Sequence, residues 1–87
     1  MATFQDLFDT LQSRAKSGDA TSRTVELLKL GTHAIGKKIV EEASEVWMAA
    51  EHEGKSATIT EIAQLIYHVQ VLMIDQEISM AELEGQL

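Results

Sequence analysis

Apolar residues recur every three or four positions along most of the chain, which is the spacing that places side chains on one face of an α-helix. Capping residues and glycines divide this pattern into helices with short connections. The predicted helices cover about residues 4–17, 24–30, 32–53, 57–76 and 79 onward. We therefore expect an all-α bundle of four to five helices, in which the two long helices are antiparallel because few residues join them.

The two long helices each carry an apolar stripe that we expect to face the protein core. On the third helix the stripe comprises Ile39, Ala43, Val46 and Ala50, and on the fourth it comprises Ile62, Leu65, Ile66, Val69 and Met73. These stripes determine which polar side chains would lie beside the contact between the two helices.

Acidic residues flank both stripes. Glu42 and Glu45 lie about 60° apart on the third helix, and Glu61, Gln64 and His68 form a row on the fourth. If the helices pack antiparallel through their apolar stripes, the two rows can face one another. Three or four oxygen ligands from two helices suit Mg²⁺, which binds carboxylates, waters and phosphate oxygens.

Two simpler interpretations of these acids have to be weighed. A pair of glutamates three residues apart is usually only part of a solvated helix face. The carboxylate of Glu61 would also be engaged in a capping box if Thr58 caps the fourth helix, whereas a start near Ser56 would leave it free. Because both acidic rows border a core stripe, and because Lys37 and Lys38 precede the first row, we favour a metal-dependent phosphate site.

Length, composition and charge narrow the function further. The 87 residues suffice for one domain with a small core, over residues 1–87. The chain has no cysteine, which excludes a thiolate metal site and fits a reducing cytoplasm. We expect neither a signal peptide nor a membrane span, since no apolar run approaches about 18 residues. The net charge of −7 disfavours nucleic acid as a partner, and a phosphate substrate would need an intervening cation.

Three segments carry a resemblance to a known family. KKIVEEASE at residues 37–45 is followed, after a spacer of about 15 residues, by EIAQLIYHVQVLM at residues 61–73. Alanines at residues 49–50 match paired alanines of the family, and SRTVELLKLG at residues 22–31 is similar to its S-Y-T-x-x-L-L-x-x-G. Over nearly the whole chain the sequence resembles the phosphoribosyl-ATP pyrophosphohydrolases, members of the all-α, MazG-like nucleotide pyrophosphatase superfamily.

The resemblance implies Mg²⁺-dependent hydrolysis of phosphoribosyl-ATP to phosphoribosyl-AMP and pyrophosphate, the second step of L-histidine biosynthesis. By position it implies a catalytic acid beside the metal at Glu41, and catalytic metal ligands at Glu42, Glu45, Glu61 and, through an amide oxygen, Gln64. It also implies substrate contacts from Lys38, Lys37, Arg14 and Ser22.

The sequence departs from the family pattern at two positions of interest. Gln64 stands where most of the family has aspartate, and its neutral amide oxygen binds Mg²⁺ more weakly than a carboxylate does. Arg23 replaces the tyrosine of the S-Y-T segment. The first departure leaves open whether the site has fewer anionic ligands or is tuned to one metal instead of two.

Two alternative functions and two partners follow from these observations. A house-cleaning pyrophosphatase acting on dUTP or a damaged nucleoside triphosphate would use the same acids, and a non-catalytic helical dimerisation module would leave them as surface. The resemblance implies a homodimer. Because the chain has neither the length nor the cysteines of a fused zinc-dependent cyclohydrolase, we expect a separate cyclohydrolase to act on the product.

Overall fold

Five α-helices with short connections make up the computed structural model, which describes all 87 residues. The helices are α1 (Phe4–Ser17), α2 (Arg23–Leu30), α3 (Thr32–His52), α4 (Lys55–Asp75) and α5 (Met80–Glu84). Thr3 caps the start of α1 and Ser79 caps the start of α5, each in a capping box. The hydroxyl of the capping residue accepts a hydrogen bond from the backbone N–H three residues later, and the acidic side chain of that later residue accepts one from the backbone N–H of the capping residue. The predicted all-α bundle is confirmed.

Glycines begin both long helices. Gly31 precedes α3 and Gly54 precedes α4, with φ of 94° and 99°, a conformation that residues with a Cβ rarely adopt. A two-residue connection is therefore enough to reverse the chain, and α4 starts at Lys55, two residues before the predicted start. Thr58 lies inside the helix, where its hydroxyl donates to the Gly54 carbonyl oxygen at 2.7 Å. The capping-box interpretation of Glu61 is wrong.

The core draws one fully buried residue from each of the first four helices. These residues, which are at most 2% exposed and form one cluster, are Leu11, Leu27, Ile35 and Val71. A second cluster of Phe8, Met73 and Met80 attaches α5 to α1 and α4. The most extensive contact in the molecule joins α3 and α4, which run antiparallel because two residues connect them.

Two polar contacts hold the C-terminal part of α4. The Gln70 side-chain nitrogen donates to the Phe4 carbonyl oxygen at 3.0 Å, which ties α4 to the start of α1. The Thr32 hydroxyl donates to Asp75 Oδ2 at 2.6 Å, which ties the end of α4 to the start of α3. The hydroxyl and the Gln76 amide hold the pKa of Asp75 below its usual range. The Thr32–Asp75 contact closes the end of the α3–α4 pair that lies opposite the connection at Gly54.

The bundle buries a different side of α3 from the one predicted. The buried residues of α3 are Ile35, Glu42 and Ala49, whereas Ala43 and Ala50 are exposed and Ile39 and Val46 are half-buried. On α4, Leu65 and Ile66 are half-buried and Met73 is buried, but Ile62 and Val69 are exposed. Apolar residues cover more than one face of both helices, so their spacing predicts a helix without fixing which face meets the chain's own core.

By length and composition alone, α4 is long and apolar enough to cross a membrane, so the expectation that no such stretch exists is wrong. Although much of its surface is exposed, α4 packs on α3 and contacts α1 and α2. It also buries the polar side chains of His68 and Gln70 within the bundle. These features are typical of a helix in a globular bundle, and one apolar helix of this kind is weak support for a membrane span.

Candidate active site

Three carboxylates from the two long helices meet at one place. Glu42 and Glu45 of α3 and Glu61 of α4 each offer an oxygen, and these oxygens lie within 4.8 Å of one another. We call these residues the carboxylate triad. Glu42 is buried at 8% exposure, Glu61 is half-buried and Glu45 is exposed. The prediction that the acidic rows of the two helices face one another is confirmed.

Burial and like charges shift the proton equilibria of the triad. Burial raises the pKa of Glu42, and the hydrogen bond and charge of Glu45 raise it further, against smaller lowering effects of His68 and Lys38. The pKa of Glu61 is raised first by a hydrogen bond shared with Glu45 and then by desolvation. Glu42 Oε2 is buried and receives no hydrogen bond from the protein. A hard cation would relieve both the repulsion and the missing contact, so the triad fits a divalent metal.

Lys38 borders the triad. Its Nζ lies 3.0 Å from Glu41 Oε2 and 3.9 Å from Glu42 Oε1. The hydrogen bond and charge of Lys38 hold the pKa of Glu41 below its usual range. Glu41 itself is exposed and lies outside the triad. The structure therefore places Glu41 where it orients Lys38, one residue away from the acids that meet.

A cavity of about 590 Å³ opens beside the triad. Its polar lining consists of Arg14, Arg23, Lys38, Glu42, Gln64 and His68, and the remaining wall consists of Leu7, Ala63 and Tyr67. Glu42 belongs both to this lining and to the triad, so the two features are continuous. The volume falls within the range of about 300–1,000 Å³ that is common for small-molecule sites.

Hydrogen bonds shape the wall of the cavity that α4 forms. The hydroxyls of Tyr67 and Thr24 are 2.8 Å apart, which ties α4 to α2. His68 Nδ1 lies 2.7 Å from the Gln64 carbonyl oxygen, and because a carbonyl only accepts, Nδ1 carries a proton. His68 Nε2 is buried and has no partner within the protein. In the neutral ring this atom is an acceptor on a residue that lines the cavity.

Of the substrate-contacting residues implied by the sequence, Arg14 and Lys38 line the cavity, but Lys37 and Ser22 do not. Lys37 is exposed and lines a smaller pocket of about 230 Å³ together with Lys38. The Ser22 hydroxyl accepts from the Val25 N–H at 3.4 Å and caps α2. Ser22 therefore has a structural role as a helix cap, and Lys37 lies outside the larger cavity although it neighbours Lys38.

Arg23 is a cavity residue that the sequence interpretation missed. As the first residue of α2, it lies across the connection from Arg14 in the last turn of α1, and both side chains line the cavity. The sequence offered one signal for Arg23: it replaces the tyrosine of the S-Y-T pattern, and so puts a positive charge next to Ser22, which the resemblance implies to be near the substrate. Its relation to Arg14 was invisible in the sequence because it depends on how α1 and α2 pack.

Comparisons with known proteins show the family to which the chain belongs. A sequence profile described as phosphoribosyl-ATP pyrophosphohydrolase matches residues 4–87. The chain is similar to proteins named phosphoribosyl-ATP pyrophosphatase from Streptomyces coelicolor, at 59% identity over 98% of this chain and 96% of the relative. It is also similar to proteins of that name from Bifidobacterium adolescentis and Salinibacter ruber, at 53% and 49% identity over the full length of both chains. The chain therefore belongs to the phosphoribosyl-ATP pyrophosphohydrolase family.

Proposed function

We propose that this chain hydrolyses phosphoribosyl-ATP to phosphoribosyl-AMP and pyrophosphate, the second step of L-histidine biosynthesis, with Mg²⁺ bound to the carboxylate triad. The observation that carries the proposal is the meeting of Glu42, Glu45 and Glu61 within 4.8 Å beside a cavity of ligand size. Membership of the family supplies the substrate. An anionic substrate and an acidic protein both call for the cation that the triad can hold.

Some residues of the site would bind the metal and others would bind the substrate. Glu42, Glu45 and Glu61 provide carboxylate ligands, and Gln64, three residues after Glu61 and in the cavity wall, provides a neutral oxygen. The bound metal would neutralise phosphate charge and lower the pKa of an attacking water. The buried Oε2 of Glu42, which no protein group contacts, supports this assignment.

Lys38 is placed to bind a phosphate oxygen. Its Nζ contacts Glu41 and approaches Glu42, so it lies beside the triad, and its side chain also lines the cavity. Glu41 keeps Lys38 in this position, and its lowered pKa keeps it ionised for that purpose. Lys37 adds positive charge near the entrance, and Ser22 acts indirectly by capping the helix that carries Arg23.

We also propose that two copies of the chain form a homodimer through the exposed apolar faces of α3 and α4. On α3 the exposed positions include Val40, Trp47 and Met48, of which Trp47 is 64% exposed. On α4 they are Ile59, Ile62 and Val69. Val40 and Trp47 are seven residues apart, and Ile59, Ile62 and Val69 follow one another at spacings of three and seven, the pattern by which helices pack into larger bundles. A second copy would bring two more helices of the same pattern.

The location and domain organisation are proposed together. A nucleotide substrate, the absence of cysteine and a bundle formed by all five helices fit a cytoplasmic enzyme consisting of one domain. Fractionation of cells that express the full chain measures the first point. Recovery of the protein in the membrane fraction after a salt wash would contradict it.

Pyrophosphate release from phosphoribosyl-ATP, with and without Mg²⁺, tests the catalytic proposal, with dUTP and ATP assayed in parallel. We expect release from phosphoribosyl-ATP that stops on chelation of the metal. Release from dUTP at a higher rate would indicate a house-cleaning pyrophosphatase. No release from any of the three would indicate a non-catalytic module and would contradict the proposal.

Light scattering coupled to size-exclusion chromatography tests the dimer. We expect about twice the chain mass for the wild type and the chain mass for Trp47→Glu, because a charge buried at an apolar interface is costly. Glu26→Lys, an exposed change on α2 and so outside the two interface helices, is the control and should remain dimeric. A wild-type protein that runs as a monomer at assay concentrations would rule out the interface.

A further inference from the structure

We propose that Arg14 and Arg23 form a site for a phosphate monoester, and that this site holds the ribose 5-phosphate by which phosphoribosyl-ATP differs from ATP. The two residues are called the arginine pair below. The inference rests on the proposed function, because it assigns one part of that substrate to one part of the cavity. It makes the pair a determinant of substrate choice, separate from the triad that takes the metal.

The first argument is that the arginine pair has no acidic partner. The chain contains 14 Asp and Glu against 7 Lys and Arg. Within 4.0 Å, however, carboxylates are paired only with Lys38 and His52, and neither Arg14 nor Arg23 makes an ion pair. Four lysines are unpaired as well, but the basic residues that line the cavity are Arg14, Arg23 and Lys38, and Lys38 is already paired with acids. Two unpaired guanidinium groups in this wall suit an anionic ligand.

The acid in the connection between the two arginines is engaged elsewhere. Asp19 lies in the connection between α1 and α2, yet its Oδ1 accepts from the Thr21 N–H at 2.9 Å and from the Thr21 hydroxyl at 2.8 Å. These hydrogen bonds hold the pKa of Asp19 below its usual range and keep it within its own turn. The connection therefore shapes the approach of the arginine pair without neutralising it.

The second argument is a buried polar atom on the same cavity. His68 is 4% exposed, and its Nε2 has no partner within the protein. Because Nδ1 donates to the Gln64 carbonyl, Nε2 of the neutral ring is an acceptor. A buried acceptor without a donor is costly, and a ribose hydroxyl from the ligand would supply the donor. This observation points to a polar ligand independently of the arginine pair.

The third argument is the match of charges along the cavity. At the triad, phosphate oxygens need a metal between them and the acids, so that end suits the triphosphate. The arginine pair can bind phosphate directly, and a monoester with about −1.5 to −2 charges matches two guanidinium groups. Glu42 lies in the triad and also lines the cavity with Arg14 and Arg23, so one molecule in the cavity can contact both groups. Phosphoribosyl-ATP carries such a monoester, and ATP does not.

Steady-state kinetics of Arg14→Gln and Arg23→Gln provide the test, with Lys16→Gln as the matched control on the exposed side of α1. We expect KM for phosphoribosyl-ATP to rise by about tenfold or more in each arginine variant, since a charged hydrogen bond is lost. The inhibition constants for ATP and pyrophosphate should stay unchanged, because neither carries the ribose 5-phosphate. Circular dichroism confirms that each variant is folded.

An equal loss of affinity for phosphoribosyl-ATP, ATP and pyrophosphate would overturn the proposal, since it would place the arginine pair at the triphosphate. An unchanged KM for phosphoribosyl-ATP would also overturn it. Calorimetric titration of the wild type with ribose 5-phosphate separates this inference from the proposed function. Binding that is lost in both arginine variants and kept in Lys16→Gln supports the site even if no pyrophosphate is released, and absence of binding to the wild type counts against it.

Discussion

The carboxylate triad and the arginine pair have opposite electrostatic problems. In the triad, Glu42, Glu45 and Glu61 bring negative charges together, and Lys38 approaches only Glu42 of the three. Arg14 and Arg23 line the adjoining cavity and make no ion pair, although the chain has an excess of acids. A metal at the triad and an anion at the arginine pair, as proposed above, would each supply the missing opposite charge.

Removing two carboxylates from the triad should have the largest effect on activity. In Glu42→Gln/Glu45→Gln we expect kcat/KM for phosphoribosyl-ATP at saturating Mg²⁺ to fall by at least about 100-fold, because loss of outer contacts to a metal already costs about 10–100-fold. The metal-free variant should also melt at a higher temperature than the wild type, since the repulsion is relieved.

The matched control is Glu51→Gln, an exposed acid of α3 outside the triad. Its activity and melting temperature should equal those of the wild type. If the control lost as much activity as the double variant, the effect would lie in the overall charge of the helix and not in the triad.

Adding a carboxylate beside the triad should have a smaller effect, and it should strengthen metal binding instead of weakening it. In Gln64→Asp a carboxylate replaces a neutral amide oxygen, and we expect Mg²⁺ to bind about tenfold more tightly, as for a gain of about 1.4 kcal/mol. Without metal the same change should lower the melting temperature, because a further acid joins the cluster. Isothermal titration with Mg²⁺ measures the affinity, and an unchanged affinity would show that residue 64 does not contact the metal.

Removing the hydrogen bond between Tyr67 and Thr24 should have a smaller effect than either change in the metal site. Tyr67→Phe removes the hydrogen bond to Thr24 that ties α4 to α2, and we expect the free energy of unfolding to fall by about 1 kcal/mol. Urea denaturation measures this loss. Because the arginine pair then shifts relative to the triad, KM should rise more than kcat falls, whereas a change in kcat alone would argue against a positioning effect.

The smallest effect concerns pH. The pKa of Glu42 is raised above its ordinary value of 4.5, so its contribution to the stability of the metal-free protein is present below that value and is lost as the pH rises through the folded-state pKa. The gain in stability on Glu42→Gln should therefore grow as the pH rises above 4.5 and through the raised folded-state pKa. Thermal melts of both proteins across this window measure the difference, and a gain independent of pH would contradict the assignment.

The helices and the meeting of the three triad carboxylates could be predicted from the sequence, because both depend on the spacing of residues along a helix. The capping residues of α1 and α5 and the glycines before the long helices carry their own signals, and Glu42, Glu45 and Glu61 are placed by helical geometry once α3 and α4 are antiparallel. The buried face of α3 could not be predicted, since Ala43 and Ala49 are equally apolar and only packing chooses between them.

The arginine pair could not be predicted, for a different reason. Arg14 and Arg23 lie on separate helices, and no periodic pattern relates one helix to another. The connection between them is turned by Asp19 and Thr21, whose hydrogen bonds are typical of many turns that bring nothing together. The relation between the two arginines is a property of tertiary structure alone.

The two-residue connection at Gly54 has a consequence for the order of folding events. It joins the two helices that supply the triad, so their contact closes a short loop and costs little chain entropy. The α3–α4 hairpin should therefore form early, and it should bring the acids together before α1 is in place. Their repulsion then opposes the first step of folding, and stopped-flow refolding should be faster with Mg²⁺ than with a chelator. Equal rates would show that the acids meet only after the rate-limiting step.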